Sequence, residues 1–229
     1  MNVYLAGISA GNIYHIWRDH AKNPEEAMNI FLSAPHSNEI RSGMNIYIAG
    51  IHGEDTRGNM EGDFKQKVFV LESFVYVKDW MDPYIKNYWN FMLDSGAFTY
   101  MNGKDTSEIN WNNYVDNYAD YINEKGIDLF MELDIDNVVG LKEVERLRRR
   151  LEKRTGKKSI PVWHRSRGLN YWKKICKNYD YVAIGGIVTK EIKKNEHDIF
   201  FPLLKIAKEN DCKVHGLGFT NSEGLKKYK

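Results

Sequence analysis

Hydrophobic and polar positions along this chain alternate between two periods. Short, nearly continuous apolar runs recur at 68–74 (VFVLESF), 91–95 (FMLDS), 128–134 (DLFMELD), 160–164 (IPVWH), 180–186 (DYVAIGG) and 212–218 (CKVHGLG). Between them the apolar residues take helical spacing. Leu141, Val144, Leu147 and Leu151 do so in 141–151, and Trp111, Val115, Tyr118 and Ile122 in 107–125, with Gly126 placed to cap the latter helix. Strands that are apolar on both faces, separated by amphipathic helices, indicate a parallel sheet covered by helices. The fold class expected is therefore α/β, with a TIM-type (β/α)8 barrel as the architecture.

The start of the chain fits this pattern less closely. Residues 1–7 (MNVYLAG) and 44–50 (MNIYIAG) nearly repeat, 29–34 (NIFLSA) lies between them, and each reads as a short strand ending in small residues. Residues 52–66 are polar and glycine-rich, which predicts a loop. Residues 1–66 are accordingly read as an N-terminal β-rich extension and 67–229 as the barrel body. One or two barrel strands must then come from the extension or be lacking.

At 229 residues and 42% hydrophobic composition the chain can bury a real core. No apolar run approaches the roughly 20 residues that span a bilayer. The N-terminus has no basic segment followed by a long apolar stretch, so no secretion leader is expected. Cys176 and Cys212 are the only cysteines, which predicts reduced buried thiols in a cytoplasmic protein and excludes a cysteine-clustered zinc site. Net charge is only +2, but basic residues crowd 146–154 and continue at Lys157, Lys158, Lys190, Lys193, Lys194, Lys226, Lys227 and Lys229. Such a face could hold a phosphate backbone, or be a solvated helix face interleaved with glutamate. Trp80, Tyr84, Tyr88 and Trp89 could form a homodimer interface, although at helical spacing they read more readily as core.

The strand tips carry the candidate chemistry. In order they are Glu72, Asp94, the group Glu132, Asp134 and Asp136, then His164, Gly185 with Gly186, and His215. A carboxylate that ends a buried strand is costly unless it is hydrogen-bonded or used. Any one strand-end acid can serve simply to cap the following helix, whereas the five tips that carry an acid or imidazole would converge on one mouth of a barrel.

The same residues resemble the tRNA-guanine transglycosylase superfamily. Asp94-Ser-Gly-Ala-Phe98 is similar to its DSGGF/Y signature, and Phe130 to Asp134 to its second acidic strand. Tyr181 to Ile187 resembles its AVGGL segment, and His215-Gly-Leu-Gly218 its MGVG segment. Order and spacing agree over 68–220, and the short chain with its YLAG-type start looks more like the viral branch that inserts 7-deazaguanines into DNA. The resemblance implies exchange of a guanine base in a nucleic acid for a 7-deazaguanine through a covalent glycosyl-enzyme intermediate. The partners implied are DNA rather than tRNA and a free 7-deazaguanine base, with no cofactor, metal or membrane.

Carried over by position, Asp94 is the acid/base group and Asp134 accepts hydrogen bonds from the purine edge. Gly185 and Gly186 let the backbone approach and donate N–H to the base carbonyl. His164 stands where the family has glutamine and could donate to that carbonyl. Ser95, Phe98 and His215 complete the base-binding set. The family's nucleophile follows its GVG segment at a distance that falls past Lys229. The barrel's last strand would fall there too. The chain would then be truncated or split, or another acid, Asp136, would substitute. Two further readings compete: a metal-dependent hydrolase with Asp94, Asp134, His164 and His215 as ligands, and a catalytically incomplete guanine- or nucleic-acid-binding domain.

Overall fold

A computed structural model of the chain describes residues 3–9, 44–52, 68–87, 89–101 and 109–219. The strand expected at 29–34, most of the loop expected at 52–66, Tyr88 and the three C-terminal lysines lie outside the described residues.

Eight strands form one sheet: β1 (Val3–Ser9), β2 (Met44–Ala49), β3 (Val68–Ser73), β4 (Trp89–Asp94), β5 (Leu129–Phe130), β6 (Val162–Trp163), β7 (Tyr181–Ile184) and β8 (Lys213–Gly216). Their order is β5-β4-β3-β2-β1-β8-β7-β6, and every pairing is parallel. A parallel bridge also joins Met131, just past β5, to Ile160, just before β6. Glu132 N–H donates to the Ile160 carbonyl and Ile160 N–H to that of Phe130, at 3.0 and 2.8 Å, so the two ends of the strand order are hydrogen-bonded to each other. The six strands expected from 68 onward are all present, trimmed by a few residues. The near-repeat strands, read from sequence as part of an extension, are instead inner members of the sheet, with β1 between β2 and β8. They supply the strands that the apolar pattern of the body alone left wanting.

Helices of the connecting segments are α1 (Asp82–Asn87), α2 (Ala97–Met101), α3 (Trp111–Lys125), α4 (Asp136–Val139), α5 (Leu141–Thr155), α6 (Gly168–Asn178) and α7 (Phe200–Glu209). The amphipathic reading holds for α3 and α5. Val115, Tyr118 and Ile122 of α3 and Val144, Leu147 and Leu151 of α5 are buried. Asn110 caps the start of α3 by accepting the Asn113 N–H, and Gly126 closes its end at φ 67°. The basic positions of α5 are largely spoken for. Arg146, Arg150 and Arg154 reach Asn112, Asp116 and Asp120 along α3 at 2.6–2.7 Å. This exposed ladder orders two neighbouring helices and contributes little per pair, about 0.2–1 kcal/mol. Arg146 also reaches Glu143 at 2.6 Å, so each of these three arginines has a carboxylate partner. Trp89 is buried, and Trp80 and Tyr84 pack on the same cluster, so these aromatics serve the core.

Period-two alternation sorts the strand residues between two sides. Tyr47, Leu71, Met92, Met131, Ile160, Val162 and Ala183 form one cluster, drawn from successive strands around the sheet. Val70, Phe91 and Leu93 belong to a second cluster with α3 and α5, and Trp163, Val182, Ile184 and Val214 to a third with α6 and α7. The positions two residues beyond Met92, Val162 and Ala183, namely Asp94, His164 and Gly185, therefore share the side of the first cluster, at the strands' carboxyl ends.

Candidate functional site

At those ends lies a cavity of about 270 Å³ lined mainly by Leu71, Ser73, Tyr76, Asp94, Gly96, Thr99, Asp134, His164, Gly185, Gly186, Val188 and Leu217. Five of the nine residues given catalytic or base-binding roles from sequence thus meet here: Asp94, Asp134, His164, Gly185 and Gly186.

Asp94 ends β4 and its Oδ1 accepts the Gly96 N–H at 2.9 Å. That turn needs glycine, since residue 96 has φ +79° and a Cβ there would collide with the Val75 side chain. Burial, reinforced by the charges of Asp134 and Glu72, pushes the Asp94 carboxyl up to about 7, against the hydrogen bonds from Gly96 and Ser95. Glu72, at the tip of β3, is only 2% exposed. It accepts its neighbour's Ser73 N–H and holds His52 Nδ1 at 3.1 Å, while the His52 ring stacks on Tyr76 with centroids 4.5 Å apart.

Across the cavity, His164 lies between two carboxylates. Its Nε2 is 2.8 Å from Asp134 Oδ2 and its Nδ1 is 3.2 Å from Glu191 Oε2. Burial works against a charge on this ring, but the hydrogen bond and charge of Asp134 outweigh it and hold the imidazole above its ordinary value. The expected donation from His164 to a ligand carbonyl has no ring nitrogen left to make it. The donation expected from Gly185 is likewise taken, because its N–H bonds the Trp163 carbonyl at 2.8 Å.

The remaining expected residues sit elsewhere. His215 shares its side of the sheet with the pocket-lining Leu217, but two residues earlier on the strand places it about 7 Å further from the strand ends. It is fully buried against Tyr47, its Nδ1 3.4 Å from the Tyr181 hydroxyl, and burial pushes it down to about 3, so it is neutral. Ser95, one residue past Asp94, is buried outside the cavity lining and receives the Tyr114 hydroxyl on its carbonyl at 2.6 Å. The Phe98 side chain lies outside the described part of α2. Asp136 does not line the cavity; Arg167 grips both its oxygens at 2.7 and 3.2 Å. Burial opposes its ionisation, but Arg167 holds its carboxyl below the usual range. Such a group is a poor nucleophile, because the guanidinium draws on the charge of both oxygens and holds them outside the cavity lining.

Glu132 explains why the acidic segment is shaped this way. It is 0% exposed and points to the helix side, where it accepts from Arg148 at 2.9 Å, Arg167 at 2.6 Å and the Val162 N–H at 2.9 Å. Arg167 therefore ties Glu132 and Asp136 to the His164 segment, fixing the loop that carries Asp134. The four ligands of the hydrolase reading are not gathered, and no group of three His, Cys, Asp or Glu side chains among the described residues could hold a metal ion. Both cysteines are free and buried, as expected. No helix among the described residues is long and apolar enough to cross a membrane.

Glu191, Tyr76 and Leu217 were not singled out from sequence. Tyr76 and Leu217 carry no chemical signal. Glu191 follows the glycine pair within a polar loop, a local setting that does not announce a partner 27 positions away in sequence. No protein-family model, curated protein or solved structure matches this chain.

Proposed function

We propose that the eight strands close into a (β/α)8 barrel and that the chain is a nucleic-acid guanine transglycosylase, exchanging guanine for a 7-deazaguanine base with DNA as the polymer. The observation that carries this reading is Asp94. It is a strand-tip carboxyl poised near neutrality, in the same small cavity as a second carboxylate. A group that titrates near 7 populates both its forms at neutral pH, as an acid/base catalyst must. A volume of about 270 Å³ lies below the about 300–1,000 Å³ usual for ligand pockets, which suits one flipped-out base better than a nucleotide.

In this mechanism a nucleophilic carboxylate attacks the sugar C1′. The C1′–N bond breaks, and the departing base takes its electron pair together with the proton of Asp94. The incoming base then surrenders its N–H proton to the Asp94 carboxylate and attacks C1′, releasing the nucleophile with net retention. Asp134 accepts from the N–H donors of the base edge through its Oδ1, because His164 already engages Oδ2.

The test is incorporation of radiolabelled guanine, and of a 7-deazaguanine, into duplex DNA by the protein. Incorporation that Asp94→Asn abolishes is the expected result. Undiminished exchange in that variant would remove Asp94 from the reaction, and base binding with neither exchange nor a covalent DNA adduct would favour the non-catalytic domain.

A further inference from the structure

We propose that Gly185, Gly186 and Glu191 build a seat for His164, and that the seated ring is a positioning group that fixes the Asp134 carboxylate without touching the ligand. What Asp134 then binds rests on the base-exchange reading; the seat itself does not.

An imidazole has two nitrogens, and both are engaged here, with Asp134 at 2.8 Å and Glu191 at 3.2 Å. The Glu191 carboxylate is itself held, since its other oxygen accepts the Ser166 N–H at 2.9 Å. The glycine pair supplies the space. A Cβ at 185 would stand 2.7 Å from His164 Cε1 and 3.0 Å from its Nε2. At 186, where φ is +85°, a Cβ would stand 2.9 Å from Glu191 Oε2 and 3.2 Å from its Cβ.

The backbone of the pair is committed as well, with Gly185 N–H on the Trp163 carbonyl and the Gly186 carbonyl receiving the Ile192 N–H. Arg167 and Asp136, paired with each other nearby, act on the ring with opposite signs. The two missing side chains thus admit the histidine and its second carboxylate. The ring in turn occupies Asp134 Oδ2 and leaves the other oxygen, which has no protein partner among the described residues, for a ligand. Holding a recognition carboxylate in one orientation lowers the cost of binding without entering the chemical step.

Four variants and two readouts test this: Glu191→Ala, Glu191→Gln, Gly185→Ala and the combination of Glu191→Ala with Gly185→Ala. In ¹⁵N-histidine NMR of the ligand-free protein, His164 is expected to show both ring nitrogens protonated near neutral pH, and Glu191→Ala is expected to shift the Nδ1 signal. Glu191→Gln, which can still accept at Nδ1, restores most of it. In the exchange assay, Glu191→Ala and Gly185→Ala should each raise KM for the free base about tenfold with kcat nearly unchanged, the scale of one charge-assisted hydrogen bond. The double variant should be no worse than the worse single one, because both changes undo the same arrangement. An unaltered His164 spectrum in Glu191→Ala, or effects that multiply in the double variant, overturns the proposal. If the unmodified chain exchanges no base, the base-exchange reading fails and the NMR comparison alone decides the seat.

Discussion

The near-neutral carboxyl of Asp94 has a consequence for stability that is independent of any substrate. In the unfolded chain this group titrates near 3.8, and in the folded protein near 7, so the native state retains a proton that the unfolded state has lost across that interval. Stability contributed by Asp94 is therefore greatest below pH 4, falls as pH rises, and is lost in full above pH 7. At about 1.4 kcal/mol per pH unit the ceiling of this loss is about 4 kcal/mol. Asp94 faces an open cavity where water relieves part of the cost, and half of the ceiling, about 2 kcal/mol, is the working figure. Asn is the neutral isostere and retains the oxygen that accepts the Gly96 N–H. Asp94→Asn should therefore melt with the unmodified chain at pH 4.5 and roughly 4–8 °C above it at pH 8. Melting curves of both proteins across that range, followed by circular dichroism, provide the check. A constant offset at all pH values, or a variant less stable at pH 8, would refute the account. The same substitution removes the proposed catalytic proton, so it should stabilise the fold while silencing it.

Three other outcomes are expected. Asp134→Asn removes a charge that lifts Asp94, so the midpoint of the pH-dependent stability change should move to lower pH, read from the same melts. Glu132→Gln leaves Arg148 and Arg167 buried without their shared anion and should cost about 3–5 kcal/mol in urea unfolding. The Tyr118 hydroxyl reaches the Leu93 carbonyl at 3.0 Å and the Met131 carbonyl at 3.2 Å, where β4 meets β5, and Tyr118→Phe should cost about 1–3 kcal/mol by the same measurement.

Much of this molecule was legible in local pattern. Apolar runs announced strands, helical spacing announced α3 and α5, and Gly126 announced the end of α3, because each follows from backbone geometry over a few residues. The same logic placed Asp94, Asp134, His164 and the glycine pair at strand tips, and tips of parallel strands face one mouth. Tertiary structure decided what those groups do there. Which side of β8 faces inward, and how deep, set His215 into the core beneath Leu217. Arg167, 31 residues along the chain, paired with Asp136 and held it outside the cavity lining. Glu191 reached back to His164 and turned an expected ligand donor into a clamp. Asp116 and Asp120 on α3 took up Arg150 and Arg154 of the basic helix, and β1 entered the sheet through pairings with β2 and β8. Each of these depends on which distant partner arrives at a given distance, and a carboxylate's role is set by that partner, not by the residues beside it in sequence.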